Sequence, residues 1–214
     1  MFVTLLYPIM SRYKHFLLNY ALPLGFVAVL YLTGLHTPFL GYLQQGVLAT
    51  GLLQPNTELA ETENVPSDII PTTENLDFKM IDPQGGIVNA KDLTGKVVFL
   101  NLWASWCPPC LAEMPNIDAL HADYADDDRI TFVLLNVETD FTRGKELVAG
   151  RGYDFPIYQL SSSLPASLGS SSLPTTFVIA PGGEVIVTHK GMADYDTKKF
   201  RALLDELIDR VSNQ

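Results

Sequence analysis

Cysteine is nearly absent from the chain, since only two of its 214 residues are cysteines, Cys107 and Cys110. Two cysteines cannot form the multiple disulfides that stabilise many small secreted domains, so the fold must depend on an apolar core. A structural zinc ion usually takes four protein ligands, and the sequence has no second Cys-x-x-Cys and no His-x-x-x-His. The sequence therefore predicts no metal site, and we expect no other cofactor.

Basic residues are also scarce. The 14 Lys and Arg residues are outnumbered by 24 Asp and Glu residues, which gives a formal net charge of −10. Proteins that bind nucleic acids need a basic surface that contacts the phosphates. The composition therefore argues against a nucleic acid as a partner.

Charged residues are missing from residues 16–35, a mostly apolar stretch. About twenty such residues suffice to cross the hydrocarbon core of a bilayer. Arg12 and Lys14 precede the stretch, and no Lys or Arg follows it before Lys79. The positive-inside rule then predicts a single-pass membrane anchor with a cytoplasmic N-terminus and the domain over residues 75–214 on the other side of the membrane.

The N-terminal region leaves some alternatives open. The apolar stretch is longer than the 7–15 residues usual for a cleaved signal peptide, which is the alternative to an anchor. Met10 is a second candidate for the start of the protein. Residues 36–53 either continue the anchor or form a short helix that lies on the membrane or on the domain. Residues 54–75 have the composition of a linker. The predicted divisions are 1–35 for the N-terminal tip and anchor, 36–74 for the juxtamembrane segment and linker, and 75–214 for the folded domain.

The two cysteines lie at a predicted junction between a strand and a helix. The apolar run Val97–Trp103 predicts a buried strand, and Pro108–Tyr124 has the pattern of a helix. Cys107 therefore falls at or near a helix N-terminus, where free N–H groups and a partial positive charge favour a thiolate. We predict a redox pair in which an exposed Cys107 attacks a partner disulfide and Cys110, less exposed, completes the exchange.

The neighbours of the cysteines are candidates for binding the partner. Trp106 precedes Cys107, and we expect it to line the partner surface; the alternative is a core aromatic residue. Pro108 and Pro109 stiffen the turn and remove two backbone N–H groups that would otherwise need partners.

Hydrophobic periodicity and turn residues predict the remaining elements. Further strands are predicted over Asp77–Ile81, Ile87–Val88, Arg129–Val137, Phe155–Leu160, Thr175–Ala180 and Glu184–Lys190. Further helices are predicted over Thr142–Gly150 and Asp196–Val211. This order predicts an α/β fold, a three-layer α/β/α sandwich with a mixed central sheet and an N-terminal β-hairpin, preceded by one transmembrane helix.

Three motifs within residues 75–211 resemble the thioredoxin superfamily, and in particular its membrane-anchored TlpA/ResA-like branch. They are Phe99–Cys110, Ala112–Pro115 and Leu173–Phe177. The resemblance implies a thioredoxin-like fold and a thiol–disulfide oxidoreductase. It further implies that Pro174 is a cis proline facing the dithiol and that Leu173 presents backbone groups to a bound peptide.

One position departs from thioredoxin itself, which has a buried Asp six residues before the first cysteine. Asn101 occupies that position here and cannot accept a proton. Glu113 lies three residues after Cys110, so the two share a helix face, and ResA-like proteins resemble this chain in having a Glu there. We expect Glu113 to take part in proton transfer; the alternative is a solvated helix carboxylate.

The predicted function is exchange of the Cys107/Cys110 dithiol with protein disulfides, by a protein anchored in a bacterial inner membrane with its catalytic domain in the periplasm. The TlpA/ResA-like branch implies a reductive direction, for example during cytochrome c assembly, with electrons from a membrane donor of the DsbD/CcdA type. Two alternatives remain from the residues: a disulfide oxidase or general exchanger, and a redox-inert binding module with the same fold.

Overall fold

The computed structural model of the chain describes residues 17–34, 44–48, 50, 53, 55 and 76–211. They divide into two units, with the boundary between residues 40 and 41. The predicted divisions after residues 35 and 74 stay predictions. The alternative start at Met10 lies outside the described residues.

The described residues of the first unit, 17–34, are mostly helical. A π-helical turn, Leu17–Ala21, leads into helix α1 (Leu22–Leu32), which has a proline in its first turn, where a missing N–H costs no hydrogen bond. None of the side chains of α1 is buried. Within the described part of the chain, no helix is long and apolar enough to cross a bilayer, so the transmembrane helix predicted over residues 16–35 is not confirmed.

The second unit contains a seven-stranded mixed sheet with the strand order β2-β1-β5-β4-β3-β6-β7. Its strands are β1 (Lys79–Ile81), β2 (Ile87–Asn89), β3 (Val97–Trp103), β4 (Ile130–Asn136), β5 (Ile157–Leu160), β6 (Thr175–Ile179) and β7 (Val185–Lys190). Strands β3, β4 and β5 are parallel neighbours, and the other pairs are antiparallel. The mixed sheet and the N-terminal β-hairpin of β1 and β2 are therefore confirmed.

Within residues 76–211 the helices are α2 (Pro108–Tyr124), α3 (Thr142–Arg151) and α4 (Lys198–Val211), and 3-10 turns cover Ala90–Leu93 and Ala166–Leu168. Each predicted strand and helix of this domain is present, and its ends differ from the prediction by at most two residues. The α/β fold is therefore confirmed.

The packing differs from the predicted three-layer sandwich. Helices α2, α3 and α4 all bury residues in one apolar cluster, which includes Leu111, Val148 and Leu204. The cluster on the other side draws on the 3-10 turns, through Ala90 and Leu168, and on none of these α-helices. Because β3, β4 and β5 are successive neighbours and parallel crossovers are right-handed, α2 and α3 fall on the same face of the sheet.

Helix α4 is held against the central strand by aromatic contacts. The ring of Phe99 on β3 lies 5.3 Å from that of Tyr195 and 6.0 Å from that of Phe200, measured between centroids. All three side chains are fully buried. This packing places the loop before α4 beside α2, the helix that begins directly after Cys107.

Candidate active site

Cys107 is the N-cap residue of α2, as the sequence predicted. Its sulfur accepts a hydrogen bond from the N–H of Cys110 at 3.3 Å, and Pro108 opens the helix, where its missing N–H needs no partner. Cys107 and Cys110 form a disulfide, with their Cα atoms 5.3 Å apart. Strand β3 ends at Trp103, so a buried strand and a capped helix hold the cysteine pair from both sides.

Both cysteines are buried in this oxidised form, with Cys107 3% exposed and Cys110 1% exposed. The sequence predicted an exposed Cys107, and for this form of the protein that prediction is wrong. The reason is the cap geometry, because the sulfur turns back over the first turn of α2 instead of pointing to solvent. Cys107 is reached from a surface cavity instead.

This cavity, which we call the Trp106 groove, has a volume of about 640 Å³. Its lining is mostly apolar and comprises Leu102, Trp106, Cys107, Pro108, Pro109, Val137, Leu160, Leu164, Gly169, Ser170, Ser171 and Leu173. Trp106 is 57% exposed, so the alternative of a core aromatic residue is wrong. The structure thus brings the predicted residues Trp106, Pro108, Pro109 and Leu173 to one surface beside Cys107; their role in binding stays a prediction.

Pro174 follows the groove residue Leu173. The peptide bond between these two residues is cis, the geometry that the family resemblance implied. Pro174 is buried, and its carbonyl oxygen accepts a hydrogen bond from the N–H of Gly191 at 2.9 Å. Its predicted contact with the dithiol stays a prediction.

Glu113 is fully buried inside the protein, one turn after Cys110. The side-chain amide of Asn101 donates a hydrogen bond to its Oε1 at 2.8 Å, and the backbone N–H of Ala193 donates to its Oε2 at 3.2 Å. The alternative of a solvated carboxylate is therefore wrong. Asn101, which replaces the thioredoxin Asp, contacts the acid that we predicted would take over its role.

Burial raises the pKa of Glu113 from 4.5 to about 8, because a carboxylate loses its hydration in the protein interior. The hydrogen bonds from Asn101 and Ala193 lower the pKa, but burial outweighs them. Glu113 can therefore be protonated or ionised near neutral pH, as an acid–base group at this pH must be.

Two further side chains complete the hydrogen-bonded chain around Glu113. The hydroxyl oxygen of Thr176 accepts hydrogen bonds from the Asn101 amide at 2.9 Å and from the Tyr195 hydroxyl at 2.7 Å. Burial, and then the charge of Glu113, hold the pKa of Tyr195 well above its usual range, so Tyr195 stays a neutral donor. Sequence reasoning missed both residues, because they lie more than 60 residues from Glu113 in the chain.

Glu138 is a second carboxylate at the site, and the sequence did not predict its role. Its oxygens accept hydrogen bonds from the N–H and the hydroxyl of Ser105, at 2.7 and 2.9 Å, and so hold the turn before Cys107. Trp103 pairs with Asn136 at the carboxyl ends of the parallel strands β3 and β4. That register could have located Glu138, because residues that follow adjacent parallel strands meet at one edge of a sheet.

The Redoxin family profile matches residues 67–204, which include all the site residues described above. The chain belongs to the Redoxin family. ResA, a thiol-disulfide oxidoreductase of Halalkalibacterium halodurans, is 30% identical over 131 residues, which are 60% of this chain and 74% of ResA. A ResA of Bacillus thuringiensis subsp. konkukian is 34% identical over 136 residues, which are 63% of this chain and 75% of that protein.

A solved structure agrees with this assignment. A Chlorobium tepidum protein, proposed to be the thiol:disulfide interchange protein DsbE, is 26% identical and superimposes with a TM-score of 0.55 over 63% of this chain and 94% of its own. This Redoxin family chain is thus a TlpA/ResA-like member of the thioredoxin superfamily and a thiol–disulfide oxidoreductase.

Proposed function

We propose that the chain reduces disulfides in client proteins with its Cys107/Cys110 dithiol. The observation that carries the proposal is the joint position of the pair: Cys107 caps a helix, lines the Trp106 groove and lies near a buried acid–base group, Glu113, on the same helix. A helix N-terminus lowers the pKa of a thiol, and the thiolate is the form that attacks disulfides.

In the first step, the thiolate of reduced Cys107 attacks one sulfur of a client disulfide. A mixed disulfide forms, the S–S bond of the client breaks, and its second sulfur leaves as a thiolate. The Trp106 groove offers apolar surface to the segment around the client cysteine, and Leu173 offers backbone groups to the client peptide.

In the second step, Cys110 attacks Cys107. The Cys110 thiol gives its proton to the Glu113 carboxylate, its sulfur bonds to the sulfur of Cys107, and the first client sulfur leaves as a thiolate. The client has gained two electrons, and the pair Cys107–Cys110 is oxidised to the disulfide seen in the structure. The burial of Glu113 supports this role, because its pKa of about 8 matches that of a thiol.

The proposal includes a location and an electron source. Residues 16–35 anchor the chain in the inner membrane, the catalytic domain is periplasmic, and a DsbD/CcdA-type membrane protein reduces the disulfide again, in support of cytochrome c assembly. The uncharged sequence of residues 16–35, with Arg12 and Lys14 before it, supports the anchor. Alkaline extraction of membranes tests the anchor, and external protease added to spheroplasts tests the periplasmic location.

Insulin reduction by dithiothreitol tests the exchange activity. We expect the wild-type protein to accelerate the reaction and Cys107→Ser to abolish the acceleration. Equal rates for the two proteins would favour a redox-inert binding module. The direction is tested by the reduction potential, for which a value well below about −200 mV supports a reductant and a value near about −120 mV supports an oxidase.

A further inference from the structure

The described residues between 44 and 55, which we call the N-terminal strap, belong to the same unit as the active site. Residues 44–48 are helical, Leu48 is only 2% exposed, and Pro55 is also buried. Val47, beside Leu48, is 45% exposed. The strap therefore lies on the domain with one side covered. Residues 36–53 were expected to continue the anchor or to form a short helix on the membrane or on the domain, and the described part of the strap fits a position on the domain.

One end of the strap contacts a carbonyl group that lacks its helical partner. In α2, the carbonyl oxygen of Leu111 would accept a hydrogen bond from residue 115, but Pro115 has no N–H. The side-chain amide of Gln45 lies 3.5 Å from this oxygen, and the guanidinium of Arg151 donates to it at 3.4 Å. The irregularity at Pro115 thus provides an attachment point for the strap two residues before Glu113.

The other end of the strap contacts the opposite wall of the Glu113 site. The N–H of Asp194 donates to the carbonyl oxygen of Leu53 at 2.8 Å, while the preceding N–H, of Ala193, donates to Glu113. Two consecutive amides of one loop therefore hold the strap and the buried acid.

We propose that the N-terminal strap positions Glu113 and keeps water from it, by holding both α2 at Leu111 and the loop at Asp194. Residues 44–55 contain no ionisable side chain, so the strap acts through position and exclusion of water and adds no charge. Among the described residues, the Asn101 amide and the Ala193 N–H donate to Glu113, Tyr195 is close enough to feel its charge, and Cys110 precedes it by three residues on the same helix. This role of the strap rests on the proposed function only in that Glu113 takes part in thiol–disulfide exchange.

The test replaces the buried strap residue and its exposed neighbour by the same neutral polar side chain. In the full chain in detergent micelles, Leu48→Asn should detach the strap, whereas Val47→Asn should leave it seated. We expect Leu48→Asn to speed amide hydrogen exchange at Asp194 about tenfold, as for the loss of one hydrogen bond. We also expect the midpoint of the Glu113 titration to fall by about one pH unit as water enters. Carboxyl ¹³C NMR follows this titration, and Glu113→Gln assigns the signal.

A milder change, Gln45→Ala, should move both readouts in the same direction, which keeps the test decisive if Leu48→Asn fails to fold. An unprotected Asp194 amide in the wild type, or the same Glu113 titration in Leu48→Asn, Gln45→Ala and wild type, would overturn the proposal. Neither readout needs enzymatic activity. If Glu113→Gln exchanged disulfides normally while the strap variants still shifted the titration, only the proposed role of Glu113 in the exchange would fail.

Discussion

Glu113 is the residue whose surroundings differ most from those of an ordinary helix carboxylate. It is enclosed by protein, it receives hydrogen bonds from Asn101 and Ala193, and its pKa is raised to about 8 by burial. We expect a group in this position to take a proton from Cys110 at the pH at which a thiol begins to ionise.

Glu113→Gln should remove a pH-dependent step from the exchange reaction. In the wild type, the rate of the second step should rise as Glu113 ionises around its pKa of about 8. In Glu113→Gln this rise should be lost. At pH values above that pKa, the variant should therefore be slower than the wild type by a factor of about 100. Rapid-mixing measurements of mixed-disulfide decay provide the rates. Glu146→Gln, which changes an exposed glutamate on α3, is the control, and identical pH profiles for Glu113→Gln and this control would exclude Glu113 from the mechanism.

Burial of Glu113 should also make the stability of the protein depend on pH. Because its pKa is raised in the folded state, Glu113 contributes stability that is fully present below pH 4.5 and is lost as the pH rises through about 8. The free energy of unfolding should fall across this window by up to about 1.4 kcal/mol per pH unit relative to Glu113→Gln. Urea unfolding at several pH values measures the difference, and parallel curves for the two proteins would contradict the raised pKa.

Sequence reasoning could find Glu113 because a helix brings residues three apart onto one face. It could not show that the side chain points into the core, nor find Thr176 and Tyr195, because those contacts depend on how β6 and the loop before α4 pack against β3. The exposure of Cys107 was misjudged for a related reason, since the direction of its sulfur follows from the cap geometry at the start of α2.

At the scale of the elements, α2 carries most of the site. It begins with Cys107 as its cap, contains Cys110 and Glu113, and continues to Tyr124 through Pro115 in its interior. A proline at such a position removes one backbone hydrogen bond and costs about 3 kcal/mol relative to alanine. Gln45 and Arg151 compensate for part of this loss at the Leu111 carbonyl oxygen.

Pro115→Ala should therefore stabilise the protein. The new N–H can bond to the carbonyl oxygen of Leu111, and we expect the free energy of unfolding to rise by about 1–3 kcal/mol. Chemical denaturation of the full chain measures this change. Pro165→Ala, in the loop before the 3-10 turn Ala166–Leu168, is the comparison at a position outside α2. A lower stability for Pro115→Ala would mean that the packing around α2 requires the irregular helix.

The strands and helices of the domain could be predicted almost completely, because buried strands such as Val97–Trp103 and amphipathic helices such as α4 have strong periodicity. The distribution of the helices over the two faces of the sheet could not be predicted. The position of β5 next to β4 decides where α3 lies, and strand order is set by long-range pairing that leaves no periodic pattern in the sequence.

At the scale of the whole molecule, we expect the Trp106 groove to distinguish protein clients from small disulfides. It is mostly apolar, it includes the exposed ring of Trp106, and Cys107 is part of its lining. The chain as a whole is acidic in composition, with a net charge of −10.

Trp106→Ala should slow exchange with a protein disulfide and leave exchange with a small disulfide nearly unchanged. The loss with a protein substrate should be at least about fivefold, as for truncation of a moderately important interface residue. Stopped-flow rates with reduced protein against insulin and against glutathione disulfide provide the comparison. The control is Ile87→Ala, which changes another exposed apolar residue, on β2, and should affect neither rate. If Trp106→Ala slowed exchange equally with both substrates, the tryptophan would act on the chemistry of Cys107 and not in client binding.

The most direct test of the account is to stop the reaction between its two steps. In the Cys110→Ser variant of the full chain, Cys107 should form a mixed disulfide with a client that persists until a reductant is added, and mass spectrometry should locate the bond at Cys107. Cys107→Ser should trap no client. If clients instead became attached to Cys110 of the Cys107→Ser variant at the same rate, or to neither variant, the exchange mechanism through Cys107 would be contradicted.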